Sequence, residues 1–253
     1  KYSNEQLSIV LGIKKGDVYD ETILQKRLRG AQDAVSTLYL DNGYLFFNVT
    51  PVEVNIEGDS IDLEMRIYEG KQARINRVTV VGNTKTHDHV IRRELRTKPG
   101  ELFSQTDVQR SIRELATLGY FNPEKLNVNP QPNPADGTVD LEYIVEERPS
   151  DQIELSGGYG AGMFIGTLGL RLTNLAIGDF FKKGAWRPLP TGDGQSLSIR
   201  GQTNGTYYKA LSASFTEPWL GGRKPNSLTV SFYHTVRSVD QRLYDVERFM
   251  KVT

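Results

Sequence analysis

The sequence predicts an α+β protein, built from β-α-α-β-β modules and followed by part of an antiparallel transmembrane β-barrel. Three observations lead to this prediction. Apolar residues recur at helical spacing within the first 150 residues, and a module-sized segment occurs there twice. From about residue 150 onward, apolar and polar residues alternate with a period of two, as in β-strands.

The repeat is marked by two pairs of similar segments. KKGDVYDE (14–21) resembles KPGELFSQ (98–105), and DNGYLF (41–46) resembles TLGYFN (117–122). The glycines of the first pair are 84 positions apart and those of the second pair 76, so the first copy is eight residues longer between its anchors. Eight residues make roughly two helical turns. We therefore expect a longer helix in the first copy.

The second copy contains every element of the module. Gly82 and Asn83 end its first strand, Pro99 and Gly100 stop its first helix, and Ser104 caps a second helix that ends at Gly119. We predict strands at 74–81, 126–128 and 138–146, and helices at 88–96 and from 104 to 119.

The first copy is predicted to hold a helix at Asn4–Leu11, a long helix at Glu21–Asp41, and strands at Leu45–Val54 and Ile61–Tyr68. It has no counterpart of the first strand, so we expect the chain to begin inside a domain. The predicted domains are residues 1–72, 73–148 and 149–253.

Long alternating strands are predicted in the second half at Ile153–Tyr159, Phe164–Thr173, Tyr208–Thr216 and Ser227–Val236, with a further strand around Arg200. A soluble β-sandwich would alternate in the same way and remains an alternative. The polar faces are small and hydroxylated, and the runs of nine or ten residues match a tilted strand across a bilayer. Five strands cannot close a bacterial barrel, so we expect the others beyond Thr253.

Composition excludes several other classes of protein. The net charge is zero, with −4 in the first 150 residues and +4 in the last 103, which is too weak a bias to indicate nucleic-acid binding. There are no cysteines, so thiol chemistry and disulfides are excluded. The N-terminal KYSNEQLSIV carries no targeting signal, so an exported form would be a mature or internal fragment.

Five segments resemble the BamA family, which combines polypeptide-transport-associated (POTRA) domains with a sixteen-stranded barrel. They are RVTVVGNTKT (77–86), GELFSQTDVQRSIRELATLGYF (100–121), VDLEYIVEERP (139–149), ELSGGYGAG (154–162) and FTEPWLGG (215–222). Residues 182–196 resemble an insert of Bacteroidetes members. By this resemblance, residues 1–70 are similar to the fourth POTRA domain without its first strand. Residues 73–147 are similar to the fifth, and 151–253 to the first five barrel strands.

The resemblance implies a protein of the bacterial outer membrane, with its POTRA domains in the periplasm, that folds and inserts outer-membrane β-barrel proteins. Its implied partners are nascent outer-membrane proteins, accessory lipoproteins and the lipid bilayer, and it implies no cofactor. Two alternatives stay open. One is a two-partner or autotransporter-assembly secretion transporter, and the other is a soluble POTRA-containing scaffold.

Exposed strand edges can template an incoming strand. In the sheet order that the resemblance implies, the second strand of each module lies at the side and offers such an edge. In the first copy this edge gives the client-binding residues Leu45, Phe46, Phe47, Asn48 and Val49. Phe46 and Val54 are equally consistent with plain core positions. In the second copy, Pro130 and Pro132 remove amide donors and blunt the edge at Leu126–Pro132.

The resemblance also implies a lateral gate in the first barrel strand, formed by Ile153, Leu155, Gly157, Gly158 and Tyr159. Glycines lower strand propensity and leave little side-chain packing, so this strand could open and pair with a client. The alternative is that the glycines serve only a bend or turn of the barrel.

Phe215, Trp219 and Leu220 are predicted to lie at the membrane interface, on a periplasmic turn between the fourth and fifth strands. Trp219 is expected to be poorly buried by protein. We expect no metal site, because His87 and His89 have no companion ligand nearby in the sequence. We find no set of nucleophile, base and acid, so the sequence does not predict an enzyme.

Overall fold

A computed structural model of the chain describes residues 1–30, 33–160, 163–186, 189–205 and 207–238. These residues form two compact units. The first consists of Lys1–Asn83 and Ile91–Glu147, and the second of Thr84–Val90 and the described residues from Arg148 onward. Within the described ranges, no helix has both the length and the apolar character needed to cross a membrane.

The first module packs short helices against a two-stranded sheet. Its elements are α1 (Asn4–Leu11), α2 (Glu21–Gln25), a π-helical segment (Lys26–Gly30), α3 (Val35–Leu40), β1 (Asn48–Glu57) and β2 (Ser60–Tyr68). The bounds predicted for α1 are confirmed: Ser3 and Gln6 form a capping box before it, and Gly12 ends it at φ 68°. The buried core is Leu24, Leu28, Val35, Tyr39 and Val49.

The prediction of one long helix over Glu21–Asp41 is wrong. The α-helical hydrogen-bonding pattern ends at Gln25, a π-helical segment runs to Gly30, and α3 begins only at Val35. Residues 31 and 32 lie outside the described residues. Two features explain the break. Gly30, which ends the π-helical segment, is a poor helix former, and Ala34 has an extended backbone with ψ 155°.

The second module has the predicted β-α-α-β-β order. Its elements are β3 (Arg74–Val81), α4 (Asp88–Arg92), α5 (Gln105–Thr117), β4 (Asn127–Asn133) and β5 (Thr138–Ile144). β5 is the central strand, parallel to β3 and antiparallel to β4. Ser104 caps α5 as predicted, accepting a hydrogen bond from the Asp107 amide. α4 stops four residues before the predicted end, because the amides of Glu94 and Leu95 bond three residues back and tighten the chain into turns.

The second unit contains a five-stranded antiparallel sheet in sequential order. Its strands are β6 (Gln152–Gly160), β7 (Met163–Leu175), β8 (Gln195–Asn204), β9 (Tyr208–Glu217) and β10 (Leu228–Arg237). All five predicted strands are confirmed. β6 and β10 lie at the two edges of the sheet as described.

Candidate functional site

The first candidate surface is the edge of the first module's sheet, where β1 begins three residues later than predicted. Leu45, Phe46 and Phe47 lie in a turn before the strand, and only Asn48 and Val49 of the five predicted client-binding residues belong to it. The Phe47 ring stacks on Tyr39, with centroids 4.1 Å apart and planes at 13°. This contact holds the turn against the core, so the Phe47 side chain packs inward rather than lying along the strand edge.

Within β1, Val49 is fully buried, whereas Asn48 and Thr50 are exposed. The strand pairs with β2 along its length, with one irregularity between Glu53 and Asn55, and in the described sheet β2 is its one neighbour. The outer part of β1 is therefore open to solvent, and Val54 is 61% exposed there.

The matching strand of the second module, β4, lies at the edge of its sheet. Pro130 and Pro132 both fall within it, opposite Leu141 and Val139 of β5. Each proline removes a backbone donor, which weakens this edge as a template for another strand.

The predicted gate residues all lie in β6. This strand pairs with β7, and all nine of its residues are exposed. Ile153, Leu155 and Tyr159 are each more than three-quarters exposed. β6 thus presents large apolar side chains together with an edge to which no described strand is paired.

The β6 glycines have two different environments. A Cβ at Gly157 would lie 3.2 Å from the Phe164 ring, which also crosses Gly166 at 3.1 Å, so this glycine makes room for an aromatic side chain. A Cβ at Gly158 or Gly160 would meet no atom within 4 Å. Neither of these has a positive φ, so steric fit does not require glycine at these two positions.

The sheet has one apolar and one polar face. Strand register aligns one apolar row across all five strands: Ile153, Leu170, Ile199, Ala213 and Phe232. The adjacent row on the other face contains Glu154 and Arg200, which form an ion pair at 3.0 Å. Further along that face, Ser214 and Ser231 share a hydrogen bond of 3.0 Å. This division matches strands with one face toward lipid and the other toward a watery lumen.

The predicted interfacial turn follows β9. The Trp219 amide donates to Glu217 Oε1 at 3.0 Å, and Gly221 and Gly222 turn the chain at φ 83° and 71°. Leu220 is 52% exposed, whereas Phe215 and Trp219 are half-buried. The expectation that Trp219 would be poorly buried is therefore wrong, because the turn folds its side chain partly against protein.

The histidines predicted to lack a companion have one. The side chains of His87, His89 and Asp193 come together, with one potential ligand atom from each within 4.8 Å of the others. His87 Nδ1 lies 2.7 Å from Asp193 Oδ1, and His87 Nε2 lies 3.8 Å from Asp179 Oδ2. The Lys182 ammonium lowers the pKa of Asp179. Sequence reasoning missed this cluster because 106 residues separate His87 from Asp193.

The sequence model of the POTRA family, described as surface antigen variable number repeat, matches residues 1–70 and 73–148. The chain is 32% identical over 189 residues to the outer membrane protein assembly factor BamA of Neorickettsia risticii, covering 69% of this chain and 25% of that protein. It is 27% identical over 219 residues to BamA of Neisseria meningitidis, covering 85% of this chain and 25% of that protein. The chain thus spans about a quarter of the length of these relatives.

Among solved structures, the crystal structure of Haemophilus ducreyi BamA lacking POTRA domains 1–3 superposes with a TM-score of 0.71 at 22% identity. The match covers 92% of this chain and 40% of that one. At this identity the likeness supports the fold, which includes both the modules and the strands that follow. The chain therefore belongs to the POTRA family and is similar to BamA, with a helical module on a two-stranded sheet and a β-α-α-β-β module, followed by part of an antiparallel β-barrel.

Proposed function

We propose that this chain belongs to the central component of a β-barrel assembly machinery, which folds and inserts outer-membrane β-barrel proteins by offering strand edges to them. Its POTRA domains lie in the periplasm and its barrel strands in the bacterial outer membrane. The clients are nascent outer-membrane proteins, and accessory lipoproteins of the complex are further partners.

The observation that carries the proposal is the outer edge of β6, to which no described strand is paired. This strand is a terminal strand of the described sheet, pairs with β7, and exposes all nine of its residues. A strand edge that is not hydrogen-bonded can pair with an incoming strand, whose backbone groups would otherwise be unsatisfied in lipid.

The glycines support an opening strand rather than a purely steric role. Gly158 and Gly160 have room for a side chain, and glycine at these positions leaves little side-chain packing and a weak strand propensity. We propose that they keep the pairing of β6 weak enough to be exchanged for a client strand. Gly157 has a structural role as well, since it accommodates the Phe164 ring.

The test is client insertion by the complete barrel protein in proteoliposomes. Replacing Gly158 and Gly160 with Val strengthens strand pairing by about 1 kcal/mol each, so insertion should slow about tenfold or more. Gly201→Val on β8, an inner strand where the nearest atom would be 3.9 Å away, is the matched control. A disulfide between β6 and the strand that it meets at the barrel seam should abolish insertion. Unchanged insertion in the crosslinked protein would contradict the gate.

For the POTRA edge, we propose that the client strand adds along β1 from Asn48, with Leu45–Phe47 fixing the position of the strand through the core. A photo-crosslinking residue at Val54 should capture nascent clients. The same residue at Val18, which is 94% exposed in a loop, should not. Equal capture at both positions would show that exposure alone accounts for it.

A further inference from the structure

Two separate segments of the second unit bring potential metal ligands together. His87 and His89 come from Thr84–Val90, and Asp193 comes from the segment that precedes β8. We propose that His87, His89 and Asp193 form a binding site for a divalent transition-metal cation of the Zn²⁺ class. Imidazole and carboxylate ligands suit this class of ion, and three protein ligands leave a fourth position for water.

The three ligand atoms lie within 4.8 Å of one another, and the two separations that involve Asp193 bracket the value of a tetrahedral site. Metal–ligand bonds near 2.0 Å place neighbouring ligands of a tetrahedral site about 3.3 Å apart. His89 Nε2 lies 3.6 Å from Asp193 Oδ1, already near that separation. His87 Nδ1 lies 2.7 Å from the same oxygen, which is a hydrogen-bond distance. A cation would take the place of this hydrogen bond, and the two side chains would separate by about 0.6 Å.

The backbone around the ligands is fixed on both sides. The His87 amide donates to the Gly192 carbonyl at 3.0 Å, and Gly192 has φ 137°. A Cβ at Gly192 would lie 2.6 Å from the Lys85 carbonyl oxygen and 2.9 Å from His87 Cε1. The approach of the two segments therefore requires a residue without a side chain at this position.

Asn174 adds a second, buried connection between the same segments. Its side chain donates to Thr86 Oγ1 at 2.9 Å and accepts from the Gly194 amide at 2.9 Å. It does so from a left-handed backbone with φ 58°, which is uncommon for a residue other than glycine. A buried and satisfied polar network of this kind limits the freedom of the two ligand segments before a metal arrives.

Asp179 is placed to orient His87 from outside the metal site. Its Oδ2 lies 3.8 Å from His87 Nε2, the ring nitrogen left over when Nδ1 binds a metal. Its other oxygen pairs with Lys182 at 2.5 Å. The distance of 3.8 Å to His87 Nε2 is longer than a hydrogen bond, so a shift of about 1 Å would let Asp179 accept the second N–H of the ligating histidine. Loss of a carboxylate in that position weakens metal binding about 10- to 100-fold.

The experiment uses the complete barrel protein in detergent micelles, without a polyhistidine tag and stripped of metal with EDTA. Zn²⁺ binding is measured by isothermal titration calorimetry, and Co²⁺ binding by the visible absorption of a tetrahedral complex. We expect one saturable site. His89→Gln and Asp193→Asn should weaken binding at least about tenfold, and Asp179→Asn by a similar factor.

His234→Gln is the matched control, because His234 is the third histidine of the chain and lies on β10, apart from the cluster. It should bind Zn²⁺ as the unaltered protein does. His89 is 62% exposed, so its substitution leaves the fold intact and any loss of binding reports on ligation. Absence of a saturable site, or unchanged binding in both His89→Gln and Asp193→Asn, would overturn the proposal.

Discussion

Asp41, at the end of α3, accepts two hydrogen bonds from Thr106 in the first turn of α5. The Thr106 amide lies 2.8 Å from Asp41 Oδ1, and the Thr106 hydroxyl lies 2.7 Å from Oδ2. The two residues belong to different modules of the same compact unit. The carboxylate therefore caps a helix of the neighbouring module, where a negative charge is favourable.

We expect Asp41→Ala to lower the free energy of unfolding of residues 1–148 by about 1–3 kcal/mol, because it removes charge-assisted hydrogen bonds from a helix N-terminus. The measurement is urea unfolding followed by circular dichroism. Asp33→Ala is the control, since Asp33 is 73% exposed and pairs with Arg27, a surface ion pair that contributes about 1 kcal/mol or less. Equal losses in both variants would contradict a special role of Asp41.

Gly82 is required where β3 ends and the chain passes close to β5. It has φ 95°, and a Cβ there would lie 1.9 Å from the Val145 carbonyl oxygen. We expect Gly82→Ala to destabilise the second module by about 3 kcal/mol or more, through backbone strain and steric overlap. Gly100 has a similar φ of 88°, but a Cβ there would meet no atom within 4 Å. Gly100→Ala should therefore lower the free energy of unfolding by only about 1–2 kcal/mol. Urea unfolding measures both variants, and the larger loss expected in Gly82→Ala is the cost of steric overlap beyond that of backbone strain.

Tyr143 makes the second module sensitive to alkaline pH. Burial raises the pKa of its phenol, which shares a hydrogen bond of 2.8 Å with Thr97. The pKa of Tyr143 in the folded protein exceeds the unfolded value of about 10. The stability that comes from keeping the phenol neutral is therefore fully present below pH 10 and is lost as the pH rises through the folded pKa. Between about pH 8 and pH 10.5, the free energy of unfolding of residues 1–148 should fall less in Tyr143→Phe than in the unaltered chain. An identical fall would assign the effect to other groups.

Neighbouring residues on β10 test which face of the barrel strands meets lipid. Phe232 is 59% exposed on the apolar face, and Ser231 lies on the opposite face beside Ser214. Phe232→Arg should destabilise the barrel in a bilayer by about 2–4 kcal/mol, because it places a charge in hydrocarbon. Ser231→Arg should be tolerated, since its side chain points to the other face. Assembly of the complete protein into liposomes measures both, and the reverse order of effects would exchange the assigned faces.

The sequence alone determined the elements whose signal is local. The period of two marked four strands of the second unit with their bounds, among them β9, predicted at Tyr208–Thr216 and found at Tyr208–Glu217. The Ser104 cap fixed the start of α5. Such patterns depend on neighbours along the chain, so the sequence by itself reveals them.

Only the tertiary structure decided features that depend on contacts through space. Stacking of Phe47 on Tyr39 holds the turn in which the predicted edge strand was expected to begin, and the extended backbone of Ala34 separates α3 from the preceding π-helical segment. His87 and His89 looked isolated because their partner Asp193 is more than 100 positions away. The sequence specifies which residue types are present, but folding decides which distant side chains lie within bonding distance.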